Sequence, residues 1–268
     1  MLDTLFDKIY VVWGRDPLRK EYIQEHFHTC NIDNYKFVRS IVPENLFTKG
    51  NKIRFQKLWD VNALKPPDAL RSHKVGSPYP LSLAEVCCSY GHLKAYKTAV
   101  EDGVNNFLVI EDDAFLDIDL CHSALDWKEY IPDDWDIIHF HSWRAFEGRR
   151  EQMLARARKQ VNDYFYRGYR EHGGTVCYSL TTDIAKQLLS RYYPIILPSD
   201  GITASISASI FARRYFNAYV ARPFLCRNTM FESQIDLEEP IDSKFITRQQ
   251  RYNICLLYTS DAADEEDS

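Results

Sequence analysis

The chain has 268 residues, of which 45% are hydrophobic, 26% charged and 14% aromatic, and its formal charge is −5. That is enough chain for one large domain, or two small ones, with a real core, and the balance excludes collagen-like, disordered and disulfide-scaffold classes. No apolar run reaches the ~18 residues of a membrane-spanning helix. In chain order, KIYVVW (Lys8 to Trp13) reads as a first strand, broken by Gly14. Asp16 then offers an N-cap, Pro17 suits the first helical turn, and Leu18, Tyr22, Ile23 and Phe27 recur at helical spacing. KFVRSIV (Lys36 to Val42) predicts a second strand, and Pro66, Pro67, Pro78 and Pro80 make residues 63–80 largely loop. Ser82 to Glu101 predicts a long helix stopped by Gly103. Phe107 to Ile110 predicts an apolar strand that runs straight into three carboxylates. Asp134 to Trp143 and Gly174 to Leu180 predict further strands, with a helix capped by Thr181 or Thr182 running to Leu189. SDGITASISASIF predicts another helix and FNAYVARP a last strand. Strands alternating with helices point to α/β architecture with a largely parallel sheet, whose ligands sit beyond the carboxyl ends of the strands.

The negative charge comes from the end of the chain. Residues 255–268 carry five of the 38 acidic residues and no Lys or Arg, so the body holds 33 of each sign. CLLYTSDAADE (Cys255 to Glu265) resembles a translated transposase-type sequencing adapter. The expected division is therefore a single domain over 1–254 and an artefactual tail over 255–268, the alternative being an ordinary acidic tail. The six remaining cysteines form neither C-x-x-C nor a zinc spacing, which predicts reduced and mostly buried thiols. The opening residues, with Asp3, Asp7 and Lys8, lack the apolar stretch of a secretory signal, so a cytoplasmic location is expected, and no nucleic-acid partner.

Glu111, Asp112 and Asp113 at a strand end repel one another and need solvent or a cation. Hard oxygen ligands suit Mg²⁺ or Mn²⁺, and such an ion bridges to a diphosphate; the alternative is a solvated Asp-rich turn. No G-x-G-x-x-G or P-loop signature accompanies them. Glu85 and His92 lie seven apart on one face of the predicted helix. His139 and His141 alternate on a strand, and a structural role is favoured over metal ligation. Residues 144–170 hold eight Lys/Arg against Glu147, Glu151 and Asp163, with Met153, Ala157, Val161, Tyr164 and Phe165 at helical spacing. An amphipathic helix touching an anionic membrane or acceptor is one reading, and a solvated helix packing one apolar stripe is the other.

Several blocks together resemble glycosyltransferase family 25, the lipooligosaccharide and collagen-type galactosyltransferase family. LSLAEVCCSYGHLKAY resembles the family's GEIGCALSHLKAY through Glu85, Cys88, His92, Leu93, Lys94, Ala95 and Tyr96. LVIEDDAF resembles LILEDDV, DDWDIIHFH its W-D strand, GGTVCYSLTTDIAKQLL its G-T-x-x-Y block, and LPSD, ending at Asp200, its later P-x-D. The opening VVWGRDPLR departs from I-N-L-x-R-R-x-D-R, Gly91 stands where the family has Ser, and Ala84 where it has Gly.

The resemblance implies a GT-A-like, Rossmann-type sandwich and metal-assisted, inverting transfer of a hexose, most often galactose, from a UDP-sugar to a glycan or glycoconjugate. Asp113 with Glu111 would hold Mn²⁺ or Mg²⁺. Arg15, Arg19, Glu85, His92, Glu111 and Asp112 would serve the donor. Asp200 is the candidate base, with a helix N-cap as its alternative role. Two rivals stand beside this reading: a nucleotidyltransferase, and a non-catalytic nucleotide-sugar or glycan-binding relative.

Overall fold

In a computed structural model of the chain, the structure describes residues 2–42, 83–141, 159–167, 174–192, 195, 199–208 and 216–228. The chain opens with β1 (Lys8–Trp13) and α1 (Pro17–Thr29). Asp16 caps α1, its carboxylate accepting from Leu18 N at 3.0 Å, and Pro17 stands at the first helical position, where a missing N–H costs nothing. Then come β2 (Tyr35–Arg39), α2 (Leu83–Asp102), β3 (Asn106–Glu111), β4 (Ala114–Leu116) and α3 (Ile118–His122). A 3₁₀ segment (Ser123–Tyr130) leads to β5 (Ile137–His139), β6 (Lys159–Gln160), β7 (Phe165–Arg167) and β8 (Cys177–Thr181). Last come α4 (Thr182–Arg191), α5 (Ser199–Ala208), β9 (Ala218–Ala221) and β10 (Cys226–Asn228). Gly103 ends α2 in the left-handed conformation, φ 73°, that only glycine adopts freely.

The main sheet has the order β2-β1-β3-β8-β5-β9-β7-β6. β2, β1 and β3 are parallel, β8 is antiparallel to both its neighbours, and β9 runs parallel to β5. The β6–β7 hairpin closes the far edge, so β8 and β7 alone run against the other strands. A mostly parallel α/β sandwich is thus what folds. β1 shows how the layers form: Tyr10 and Val12 join the core under α2 and α4, while Ile9 and Val11 join the core under α1 and α3. Alternate residues of a strand face opposite sides, so an all-apolar strand must be covered twice. A small second sheet pairs β4 with β10.

Three expectations are corrected. Leu18 does not lie on the buried stripe of α1, being 55% exposed; Arg19 takes the inward position, with Ile23, His26 and Phe27. Of the predicted strand Asp134–Trp143 only Ile137–His139 is regular among the described residues, Asp134 falling in a turn; Ser142 and Trp143 lie outside the described residues. The helix expected within 144–170 is not kept where the chain is described: residues 159–167 form the β6–β7 hairpin. Asn162 makes its turn by accepting from the N–H groups of Tyr164 and Phe165, both at 3.0 Å. Val161 is exposed and Phe165 buried there, while Met153 and Ala157 lie outside the described residues, as does the loop expected at 63–80.

Gly91 sets how closely α2 lies on the sheet. A Cβ here would sit 2.7 Å from Val12 Cγ1 and 2.9 Å from Ser40 Cβ. Ser40 cannot simply turn away, since its hydroxyl donates to Cys87 O at 2.6 Å. Gly91→Ala gains about 1 kcal/mol of helix propensity but overpacks at a cost of up to about 3 kcal/mol. A fall in melting temperature of about 5 °C is expected by circular dichroism; an unchanged or raised value would show that the helix has room to move.

Candidate active site

The strand order places β1 between β2 and β3, so the chain passes from β1 to one side and returns on the other, which makes the carboxyl ends of β1 and β3 a topological switch point. Ligands of open α/β sheets bind at such a point. Gly14 follows β1 there, and β3 delivers Glu111, Asp112 and Asp113. Each carboxylate meets a different environment. Asp112 is buried, accepts from Gly14 N at 3.1 Å and pairs with Arg19 at 3.0 Å. The same Arg19 nitrogen reaches Asp113 Oδ2 at 3.2 Å. Asp113 Oδ1 is buried and has no hydrogen-bond partner among the described residues.

The electrostatics follow from these contacts. Burial, reinforced by Glu111, pushes the Asp113 carboxyl up to about 7 against the pull of Arg19. Burial also raises Asp112, with Arg19 and the Gly14 N–H opposing it. Burial would raise Glu111 as well, but its hydrogen bonds from His92 and Thr175 outweigh that and hold it below the ordinary carboxylate value.

Glu111 anchors a second cluster. Its Oε1 lies 3.1 Å from His92 Nε2 and accepts from the Thr175 hydroxyl at 2.5 Å. His92 Nδ1 is 2.7 Å from Tyr178 OH, which is 2.6 Å from Tyr96 OH. Thr175 Oγ1 is 3.0 Å from Ser199 Oγ, and Ser199 Oγ is 3.3 Å from Cys88 Sγ. The fold explains the meeting. Glu85, Cys88 and His92 stand three and four apart on α2 and share its face. Antiparallel β8 starts where β3 ends, and Glu111 N donates to Val176 O at 2.9 Å, which sets Thr175 beside Glu111. α5 presents Ser199 from its first turn.

The structure therefore brings together Glu111, Asp112, Asp113, Arg19 and His92. Glu85 is buried on the same face of α2. Arg15 is exposed in the turn between β1 and α1, apart from Arg19. Arg19 is not a surface arginine: it is 5% exposed and held by two carboxylates. Asp200 lies one residue inside α5 rather than at its cap, half-buried, and its Oδ1 accepts from Gly201 N at 2.8 Å. His139 and His141 are buried, and His141 Nδ1 lies 3.1 Å from Cys226 O, in keeping with a structural role. The six described cysteines are free thiols, five of them buried.

Sequence reasoning missed Cys88, Thr175 and Ser199 as site residues. For Cys88 a signal was present, the i, i+3, i+7 spacing of Glu85, Cys88 and His92. Thr175 stands in the block that resembles G-T-x-x-Y, but its place beside Glu111 depends on strand direction; for Ser199 there was no signal, because its place depends on where α5 begins.

The model of glycosyltransferase family 25 (LPS biosynthesis protein) matches residues 6–203. No curated protein matches the chain significantly. Among solved structures, a glycosyltransferase involved in glycosylation of the major capsid of PBCV-1 is 11% identical, with 80% of each chain covered and a TM-score of 0.34. A UDP-glucose pyrophosphorylase is 12% identical in its apo form, covering 83% of this chain and 92% of that one with a TM-score of 0.41, and 13% identical in complex with UDP-glucose, with a TM-score of 0.40. Mannose-1-phosphate geranyltransferase from Thermus thermophilus is 8% identical, covers 80% and 73%, and has a TM-score of 0.35. All these scores lie below 0.5, so the assignment rests on the family match. Among the described residues no helix is long and apolar enough to cross a membrane.

Proposed function

This chain belongs to glycosyltransferase family 25, and we propose that it transfers a hexose, galactose first, from a UDP-sugar to a hydroxyl of a glycan or glycoconjugate. The observation that carries this reading is the place of Glu111, Asp112 and Asp113 at the carboxyl ends of β1 and β3, with Asp113 Oδ1 buried and unsatisfied among the described residues. An orphaned carboxylate oxygen fits a divalent cation: Asp113 and Glu111 would hold Mn²⁺ or Mg²⁺, which supplies Lewis-acid stabilisation of the diphosphate leaving group.

The chain's own residues do the rest. Arg19 and the Gly14 N–H hold Asp112, and Arg19 holds Asp113 as well, so the acidic turn is fixed before the donor arrives. Arg15, exposed in the turn between β1 and α1, would pair with a donor phosphate. His92 orients Glu111 from α2, and Glu85 extends that polar face. In the inverting step the acceptor oxygen bonds to the anomeric carbon, the bond to the phosphate oxygen breaks, and the acceptor proton passes to a carboxylate base. Asp200 is the proposed base: it adjoins Ser199, which touches the Glu111 cluster, and it is partly open to solvent.

Calorimetry with UDP, UDP-galactose and UDP-glucose, in Mn²⁺ and then in chelator, tests the reading. Divalent-dependent binding of at least one UDP-sugar is expected, with UDP released when an acceptor is supplied. No binding to a folded protein would overturn it, and pyrophosphate release from a nucleoside triphosphate would replace it with nucleotidyl transfer.

A further inference from the structure

We infer that Cys88, His92 and Glu111 form a seat for a borderline transition-metal ion of the Zn²⁺ or Co²⁺ class, which shares Glu111 with the hard-cation position at Asp113 but takes its sulfur and nitrogen donors from α2. One ligand atom from each residue lies within 4.8 Å of the other two, in a group that does not include Asp113. Cys88 and His92 are four apart on α2, a spacing that lets two side chains of one helix grip one ion, and β3 brings Glu111 to them.

His92 Nε2 and Glu111 Oε1 are 3.1 Å apart, close to the roughly 3.3 Å between two ligands that share a tetrahedral ion at about 2 Å. In the ion-bound form Nε2 exchanges its contact with Glu111 for the metal, and Nδ1 keeps Tyr178. Each ligand already has the outer partner that such sites use for orientation. Tyr178 OH is 2.7 Å from His92 Nδ1, Thr175 donates to Glu111 at 2.5 Å, and Ser199 Oγ is 3.3 Å from Cys88 Sγ. His92 is 1% exposed, whereas the Glu111 side chain is 22% exposed and Cys88 half-buried, so the ion has a way in and one position open to water or an anionic oxygen. One sulfur, one nitrogen and one oxygen donor favour Zn²⁺ and Co²⁺ over Mg²⁺ and Ca²⁺. The seat shares Glu111 with the cation of the sugar-transfer reading, but its Cys88 donor takes no part in that reading, so a cobalt–thiolate spectrum tests the seat separately from donor binding.

The test is a Co²⁺ titration of the full chain, previously stripped with chelator. One equivalent is expected to give the visible bands of a tetrahedral ion and a near-ultraviolet thiolate-to-cobalt charge-transfer band. Cys88→Ser, which keeps a partner for Ser199, removes that band and weakens binding. Asp113→Asn keeps the band, which separates this seat from the Asp113 cation. No charge-transfer band in the wild-type protein, or one that survives in Cys88→Ser, overturns the proposal. Should Cys88→Ser fail to fold, X-ray absorption of the zinc-loaded wild-type chain decides: one sulfur in the shell is expected, and an oxygen- and nitrogen-only shell overturns the seat.

Discussion

At pH 8, with divalent ions chelated, Asp113→Asn melts at a higher temperature than the wild-type protein, although it loses divalent-dependent binding of the donor. The reason is the cost of the charge. The Asp113 side chain is 15% exposed, one of its oxygens has no partner among the described residues, and its carboxyl is raised from 3.8 to about 7. A carboxyl whose folded value is raised favours the fold only while it is protonated. That contribution is complete below about pH 4 and is lost as pH rises through about 7. Asn keeps the shape and an acceptor for Arg19 but never ionises. Its advantage is therefore close to nil at pH 4 and grows to on the order of 3 kcal/mol above pH 7, or roughly 6–12 °C for a chain of this size. Melts at pH 4.5, 6 and 8 trace the difference. An Asn variant less stable than wild type at pH 8, or one that still binds donor only with Mn²⁺ present, contradicts the assignment of Asp113 as a residue kept charged for a cation.

That conflict between stability and site chemistry was half visible in the sequence. Three carboxylates at the end of an apolar strand announce a cost, and local rules also gave the strand that carries them. Lys8–Trp13, the Asp16–Pro17 helix start and the Gly103 helix stop all fold as their spacing and turn chemistry dictate. What those carboxylates do with the charge was not visible. Periodicity counts apolar residues and so puts Leu18 rather than Arg19 on the buried stripe of α1, and the family resemblance gives Arg19 to the donor rather than to the carboxylates. Arg19 turns inward toward Asp112 and Asp113, 93 and 94 residues away, a pairing no local pattern contains. Strand direction is equally silent in a local pattern. β8 has the same buried profile whichever way it runs, yet its reversal is what sets Thr175 at Glu111. β4, β7 and β10, three residues each, are too short for alternation to be read at all. Cys88 meets Ser199 across 111 residues, and nothing at either position signals the other.

Arg19→Met is expected to destabilise the protein by about 3–5 kcal/mol, lowering the melting temperature by about 10 °C at pH 8. Met keeps most of the apolar stem that packs in α1 beside Ile23, so the loss reports the charge. A single guanidinium nitrogen serves both Asp112 and Asp113, and without it two buried carboxylates face each other and Glu111 with no cation. Both acids, already raised by burial, are then raised further. The deficit is accordingly small near pH 4, where they are protonated, and grows as pH rises. The sharper expectation concerns Asp112. In the wild-type protein Asp112→Asn destabilises, because it takes from Arg19 the carboxylate charge at 3.0 Å; in the Arg19→Met background the same change stabilises, because it removes an uncompensated charge while still accepting from Gly14 N. A double-mutant cycle by denaturant titration at pH 8 measures that reversal of sign. If Asp112→Asn destabilises equally in both backgrounds, Arg19 is a packing residue, and the acidic turn is held in place by the backbone at Gly14 instead.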